Sequence, residues 1–438
     1  MCLAWWCKIS VEEVRFEENY ILSDLSHPRL LSFALDSWTV LGGRVNLDLT
    51  DGVGVLVGRN GVGKSAILEG LDVISSFATG RFRGILPNDY ESIPKILEIL
   101  IRTPTSRQLK YRYEFIPALV NYGDTDEDNS DGEDNPDGSN SEESMVSWND
   151  CCQYADRQEE LLWTTEAGVT TLYTKGKESG TFVLGTTSSF GRVRNKLNSS
   201  RISLPAEMEW VFDVLRGIRI LGKAPVRKTS RRHLSLLEVS PGGVYTHGGS
   251  GFRLVDSLAK KILRLIKTGE LNELERVCQR VGIGRKITEN KFVLSQTIRN
   301  NNDKEEEEYL SSVLLDETNI GLLSDGTLRV LSILIEVMNS ASTATTIIEE
   351  PELQIHPGLL SNLLAEIETY TFGENLIIST HSPQVVSWTD PQKIHLVYRS
   401  YGQTLVRKLR VDEIQKVIEY LCEEGDLGDW IYSGVLDE

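Results

Sequence analysis

The eight residues GRNGVGKS, at positions 58–65, constrain the fold of this chain more than any other stretch. They fit the pattern G-x-x-x-x-G-K-[ST] and comprise, among others, Gly58, Asn60, Gly61, Gly63, Lys64 and Ser65. A short apolar run precedes the stretch at 53–57, and an apolar-periodic run follows it at 66–74. The sequence therefore predicts a buried strand, a glycine-rich loop and a helix in immediate succession.

This loop has the composition of a phosphate-binding loop, or P-loop. Glycines allow backbone N–H groups to turn inward and surround phosphate oxygens. The following helix directs its positive end at the same oxygens. In this pattern Lys64 reaches the β- and γ-phosphates, and the Ser65 hydroxyl coordinates Mg²⁺. A glycine-rich turn without a ligand is the alternative, but the flanking strand and helix favour nucleotide binding.

Composition limits the class of protein and its partners. The chain has 438 residues and a formal charge of −18, so its average surface repels nucleic acid and any DNA contact must be local. The six cysteines include no C-x-x-C pair, which favours reduced thiols and a cytoplasmic protein. The start, MCLAWWCKIS, lacks the features of a signal peptide, and no run approaches the roughly 18 apolar residues of a membrane span.

The middle of the chain changes character several times. Alternating apolar residues predict strands within 29–57 and 93–119 and a short β-meander over 160–190. Two helices are predicted on either side of Gly269, and we interpret their apolar faces as core packing. Those faces consist of Leu254, Leu258, Ile262 and Leu265 in the first helix and of Leu271, Leu274, Cys278 and Val281 in the second.

Three charged segments stand out. Residues 123–150 are rich in acidic residues and contain no Lys or Arg, which predicts a disordered acidic loop; the alternative is a DNA mimic or a partner tether. The run KEEEE at 304–308 is interpreted as solvated. The basic cluster between Lys223 and His233 contrasts with the acidic average and is a candidate DNA or RNA contact, or a subunit contact.

Two further strands supply acid and base groups. TTIIEEPE, at 345–352, predicts a strand that ends in Glu349 and Glu350 and stands beside the P-loop in a parallel sheet. Glu349 would hold Mg²⁺, and Glu350 would polarise the water that attacks a phosphoanhydride. NLIISTHSP, at 375–383, predicts another strand that ends near His381, where ligands bind in open α/β sheets. His381 could contact the γ-phosphate or the attacking water; a histidine bonded only to loop backbone is the alternative.

A third segment, LLSDGTLRVLSIL at 322–334, predicts a helix from Thr327 with Ser324 or Asp325 as its N-cap. Ser324 and Gly326 at this helix start would form a second anion-binding end. A well-capped core helix is the alternative reading.

These motifs, in this order, resemble those of the ABC-type ATPases. GRNGVGKS resembles Walker A, LSDGT the ABC signature, IIEE Walker B with its catalytic glutamate, and STHSP the switch-histidine segment. SDGTLR, EEPE-x-x-x-HP and THSP together resemble the AAA/OLD-like branch, which is related to RecF and SMC heads. Glu349 stands where many ABC ATPases have Asp, no Q-loop glutamine can be assigned, and no Toprim-type nuclease motif follows.

The resemblance implies an α/β P-loop NTPase with ABC-ATPase head topology, an inserted antiparallel β arm and a helical lid. The core would join 20–100 to 310–400, with the arm and lid in 101–309 and a C-terminal extension in 401–438. It also implies Mg²⁺-dependent ATP hydrolysis in a head-to-tail homodimer or higher homo-oligomer. There, Ser324 and Gly326 of one copy contact the γ-phosphate held by the other.

Stand-alone proteins of this branch resemble ATPase subunits of bacterial anti-phage defence systems. We therefore expect a separate nuclease or toxin as the effector. The alternatives are a RecF-like DNA-repair ATPase and a nucleotide-gated scaffold with negligible turnover.

Overall fold

The computed structural model describes twelve segments of the chain: 27–81, 93–116, 147–155, 160–166, 168–183, 205–221, 234–240, 243–246, 253–299, 305–339, 345–371 and 374–414. Their strands are β1 (Arg29–Asp36), β2 (Val45–Asp48), β3 (Val53–Val57), β4 (Ile96–Arg102), β5 (Gln108–Ile116), β6 (Ser147–Tyr154), β7 (Leu161–Glu166), β8 (Val169–Thr174), β9 (Lys177–Val183), β10 (Ile218–Leu221), β11 (Leu237–Ser240), β12 (Gly243–Thr246), β13 (Ile287–Arg299), β14 (Glu305–Leu315), β15 (Thr318–Asn319), β16 (Thr345–Glu349), β17 (Asn375–Thr380), β18 (Ile394–Ser400) and β19 (Gln403–Lys408). Their α-helices are α1 (Lys64–Ala78), α2 (Ala206–Gly217), α3 (Arg253–Thr268), α4 (Leu271–Val281), α5 (Asp325–Met338), α6 (Pro357–Tyr370) and α7 (Pro383–Trp388). The predicted α/β class is confirmed.

The chain divides into two compact units. The first draws its described residues from Met1–Thr50, Ala66–Ile218 and Arg399–Leu405, and the second from Asp51–Ser65, Arg219–Tyr398 and Val406–Glu438. This division differs from the predicted one, in which 101–309 forms a single insertion, because the boundary falls at Ile218. Strands β5–β9 continue the sheet begun by β1, β2 and β4, whereas Val277 and Val281 pack with the core of the second unit.

The first unit contains an eight-stranded antiparallel sheet in the order β2-β1-β4-β5-β6-β7-β8-β9. Burial alternates along β4 and β5, as the sequence predicts. The acidic stretch 123–150 lies outside the described residues except for 147–150, which are in β6. The prediction of disorder is wrong for those four residues, because Trp148, Asp150 and Cys152 alternate into the buried face of the sheet.

The second unit is built on a six-stranded sheet in the order β10-β16-β17-β3-β18-β19. Strands β16, β17, β3 and β18 are parallel. Strands β3, β16 and β17 are almost entirely buried, which explains their continuous apolar sequences. Strand β19 lies within the range predicted as a C-terminal extension, 401–438, yet it forms the edge of this sheet, since its residues pair with β18.

A second sheet in this unit has the order β12-β11-β14-β13, and β15 pairs with β14. Helices α3 and α4 pack against it through buried residues that include Leu258, Ile262, Leu274 and Cys278, so the predicted core role of both helices is confirmed. Gly269 separates the helices with φ +78°. The run 304–308, interpreted as solvated, includes Glu305–Glu308, which begin β14 and pair with β13.

One sequence expectation falls outside this description. The basic cluster from Lys223 to His233 lies outside the described residues. Within the described segments, no helix has both the length and the apolar character needed to span a membrane.

Candidate nucleotide-binding site

The P-loop connects β3 to α1, the local setting that the sequence predicts. Gly61 and Gly63 have φ angles of +79° and +111°, a region that side chains other than glycine rarely occupy. At Gly58 the constraint is contact rather than backbone angle, because an added Cβ would lie 2.2 Å from the carbonyl oxygen of Val397 in β18. Three of the loop glycines are therefore required by geometry.

Lys64 is the first residue of α1 and is only 5% exposed. Its ammonium group donates to the carbonyl oxygens of Gly58, at 2.6 Å, and Arg59, at 2.9 Å. Burial lowers the pKa of Lys64, and the carboxylates of Glu350 and Glu352 oppose that shift. The lysine thus lies inside its own loop and within electrostatic range of the acidic strand end.

The parallel strands bring three predicted segments to one edge of the sheet. Glu349 pairs with Ser379, which pairs with Leu56, and Thr380 pairs with Val57. Glu349, His381 and the P-loop therefore lie at the carboxyl ends of β16, β17 and β3. The strand that ends at Glu349 was expected beside the P-loop, but β17 lies between β16 and β3, so the histidine strand is the direct neighbour.

Glu350 begins the turn that follows β16. Its φ of +42° is unusual for a residue other than glycine, and its N–H donates to the Ser379 carbonyl at 2.8 Å. Its carboxylate lies 3.5 Å from Nδ1 of His381, measured from Oε1. The predicted base and the predicted histidine are therefore neighbouring side chains.

Arg329, on α5, is a residue that the sequence analysis did not select. It is 1% exposed, and its guanidinium donates to the main-chain carbonyls of Glu349, at 2.6 Å, and Glu350, at 2.9 Å. Burial lowers the pKa of Arg329, whereas Glu352, Glu350 and Glu349 oppose the shift. Its sequence signal is a charge inside the apolar helix segment TLRVLSIL.

Glu352 was also missed, although it is the last acid of the EEPE segment. Its Oε1 accepts hydrogen bonds from the Thr380 hydroxyl, at 2.8 Å, and the His381 N–H, at 3.1 Å. The turn after β16 is thereby bonded to the end of β17.

Ser324, one of the two predicted candidates, is the N-cap of α5, and its side chain accepts from Thr327 N–H at 3.1 Å. The helix begins at Asp325 rather than at the predicted Thr327. Gly326 follows in the first turn, where an added Cβ would lie 2.2 Å from the Gln354 carbonyl oxygen. The start of α5 therefore lies against the turn after Glu350. The predicted contact of Ser324 and Gly326 with phosphate in a second copy stays a prediction.

The residues at this sheet edge suit a Mg²⁺ ion that is held partly by substrate and water, rather than a metal ion held by protein side chains alone. Ser65 is exposed at the start of α1, and Glu349 ends β16 on the same sheet edge. Within the described segments, no group of three or more His, Cys, Asp or Glu is placed to hold a metal ion. Mg²⁺ commonly takes one or two protein oxygens together with substrate phosphates and water. Ser65 and Glu349 are the predicted protein ligands, and their contact with Mg²⁺ stays a prediction.

Comparison with protein families matches residues 281–387 to a family described as "AAA domain, putative AbiEii toxin, Type IV TA system". These residues contain the α5 start, the acidic strand end and His381, while the P-loop precedes them. A comparison with curated proteins gave no match.

Several SMC head structures are similar to this chain. An SMC head bound to the C-winged helix domain of ScpA is 12% identical, with 88% of this chain and 99% of that chain covered and a TM-score of 0.39. The SMC head domain from Thermotoga maritima is 12% identical, with 87% and 100% covered and a TM-score of 0.39. A Pyrococcus furiosus SMC head with an extended coiled coil, bound to the C-terminal domain of ScpA, is 12% identical, with 90% and 100% covered and a TM-score of 0.37. The roles proposed below rest on the contacts within this chain.

Proposed function

We propose that this chain is a Mg²⁺-dependent ATPase in which ATP promotes association of two copies and thereby controls a partner effector. One observation carries the ATPase assignment. The P-loop, the acidic strand end and His381 meet at the carboxyl edge of one parallel sheet, and Lys64 and Glu350 interact electrostatically there.

Each side chain at this edge has a distinct task. Lys64 exchanges its bonds to the loop carbonyls for phosphate oxygens of ATP, and the P-loop N–H groups surround the same phosphates. Ser65 and Glu349 hold Mg²⁺, which neutralises charge on the phosphates when it is bound. Glu350 orients and polarises the attacking water, and His381 contacts that water or the γ-phosphate.

Association of two copies would complete the site. Ser324 is exposed at the N-terminus of α5, where the helix dipole favours an anion. In a head-to-tail pair this end would cap the γ-phosphate bound by the other copy. The γ-phosphate then favours the closed pair, and hydrolysis releases it.

The proposed effector is a separate toxin or nuclease. The family description that matches residues 281–387 names a toxin of a toxin–antitoxin system, which is in keeping with an ATPase that acts with a toxin or nuclease. An anti-phage defence role extends the same idea. The DNA-repair alternative depends on the basic cluster between Lys223 and His233, and this lies outside the described residues.

The ATPase and the two-copy state are tested with two variants of the purified chain. Lys64→Ala should lose ATP binding, because it removes the buried cation of the loop, which is proposed to contact the phosphates. Glu350→Gln should bind ATP with parental affinity, lose turnover and accumulate as a pair with ATP and Mg²⁺. Fluorescent-nucleotide titration, phosphate release and light scattering measure these three properties. Parental turnover in Glu350→Gln would refute the assigned role, and a single-copy mass with trapped ATP would refute association.

A further inference from the structure

Glu352 joins two strand ends at the proposed site. Its side chain is 12% exposed, and Oε1 accepts from the Thr380 hydroxyl at 2.8 Å and from the His381 N–H at 3.1 Å. The Thr380 hydroxyl in turn accepts from the Ser382 N–H at 2.9 Å. One carboxylate therefore fixes the main chain on both sides of His381.

The same carboxylate also faces the His381 ring. Nδ1 of His381 lies 3.6 Å from Oε1 of Glu352 and 3.5 Å from Oε1 of Glu350. Among the described residues Nδ1 has no hydrogen-bond partner, and the two carboxylate oxygens are the acceptors nearest to it, so the neutral ring is favoured with its proton on Nδ1. That arrangement leaves Nε2 as the ring nitrogen available to substrate.

The position of Glu352 is itself defined by the surrounding fold. The carboxylate attracts the buried cations Lys64 and Arg329, so it lies among the charges of the site. The turn that carries it is closed by hydrogen bonds from Leu353 N–H to the Glu350 carbonyl and from Ile355 N–H to the Glu352 carbonyl. The position of the Glu352 side chain is thus fixed by hydrogen bonds to its carboxylate and within its turn.

We propose that Glu352 is a positioning residue for His381: it accepts hydrogen bonds from the end of β17 and, with Glu350, selects the ring orientation that presents Nε2 to the γ-phosphate or the attacking water. This role rests on the proposed ATPase function. A base or acid that is displaced by about 1 Å loses much of its effect, so removal of this support lowers kcat rather than ATP affinity.

Three variants separate this role from general effects of charge and stability. Glu352→Ala removes the acceptor and should lower kcat about 100-fold, with the Kd for ATP within about threefold of the parent. Glu352→Gln keeps an acceptor oxygen and should lower kcat less than about tenfold. Glu368→Ala removes an exposed acid on α6 and should match the parent. Melting temperatures measured in parallel show whether each variant is folded.

A double-mutant cycle tests whether Glu352 acts through His381. If it does, Glu352→Ala combined with His381→Ala should be no slower than His381→Ala alone. Rate losses that multiply would overturn the proposal, as would a Glu352→Ala variant with parental kcat or a Glu352→Gln variant as slow as Glu352→Ala.

The protonation of the His381 ring can be measured by NMR without ATP hydrolysis. The chain has six histidines, so the His381 ring signals in a long-range ¹H–¹⁵N spectrum are assigned by comparison with His381→Ala. The protein without ATP should show the Nδ1-protonated ring, and Glu352→Ala should shift it toward the other tautomer. An unchanged ring spectrum would overturn the positioning role. Absence of ATP hydrolysis in the parent, with the expected ring spectrum, would instead overturn the proposed function.

Discussion

Gly326 offers a perturbation whose size can be derived from one contact. It is the second residue of α5, and an added Cβ would lie 2.2 Å from the carbonyl oxygen of Gln354 and 3.2 Å from its carbonyl carbon. Ordinary contact distances require a separation greater by roughly 1 Å. The Gln354 atoms are main chain, so Gly326→Ala must displace either α5 or the turn that follows Glu350.

That displacement would reach the proposed catalytic side chains. Arg329, one turn further along α5, holds the Glu349 and Glu350 carbonyls, so α5 and the strand end shift together or lose these bonds. Overpacking of this kind costs about 1–3 kcal/mol of the free energy of unfolding. A misplacement of about 1 Å lowers kcat by about 100-fold. We expect both effects, and the stability loss should already be present without ATP.

Gly358→Ala is the matched control. Gly358 is likewise the second residue of its helix, α6, but an added Cβ there meets nothing closer than the His356 ring at 3.5 Å. Thermal unfolding without nucleotide and phosphate release with ATP are measured for both variants. If Gly326→Ala has the same melting temperature as Gly358→Ala and the parent, the added methyl group does not displace α5 or the turn. That result would refute the steric argument.

Two further predictions concern buried ionisable side chains, Arg329 in the second unit and Asp150 in the first. Arg329→Met removes both hydrogen bonds to the Glu349 and Glu350 carbonyls and should lower the free energy of unfolding by about 3 kcal/mol. Arg329→Lys keeps a cationic donor and should lower the free energy of unfolding less. Equal losses for the two variants in urea unfolding would contradict this prediction. In the first unit, burial raises the pKa of Asp150 to about 6 from an ordinary 3.8, so the folded state binds its proton more tightly than the unfolded state. The stability from this group is present below pH about 4 and is lost as pH rises through 6, by up to about 3 kcal/mol. Asp150→Asn should therefore be more stable than the parent at pH 7.5. Its urea midpoint should also change less between pH 4.5 and pH 7.5 than the midpoint of the parent. The same pH dependence in both proteins would refute the role of Asp150.

The parts of the site that the sequence predicted are those encoded locally. The loop needs glycines at fixed spacing, and the structure shows why at Gly58, Gly61 and Gly63. The strand ends were found because continuous apolar runs end in acids or in histidine, and parallel strands bring such ends to one edge. The N-cap role of Ser324 follows equally from a local rule.

Strand order could not be obtained in the same way. The β16, β17 and β3 sequences are all short apolar runs, and nothing within them states which is central. Their order depends on how the connecting helices pack, which is a property of distant residues. The sequence SWNDCCQY in β6 was missed for a different reason: its first four residues lie within the acidic stretch 123–150, whose composition hides the alternating pattern.

Arg329 and Glu352 escaped detection because their partners are distant in sequence and are mostly main-chain atoms. The turn they support starts at Glu350, with φ +42°, and contains Gln354, with φ +63°. Two residues with positive φ raise the conformational free energy of the turn. Such strained backbone persists where the surrounding contacts hold it in place. Here the contacts are the guanidinium of α5 on one side and the end of β17 on the other. The strain therefore identifies the turn as the element through which a change at the start of α5 would reach Glu350 and His381.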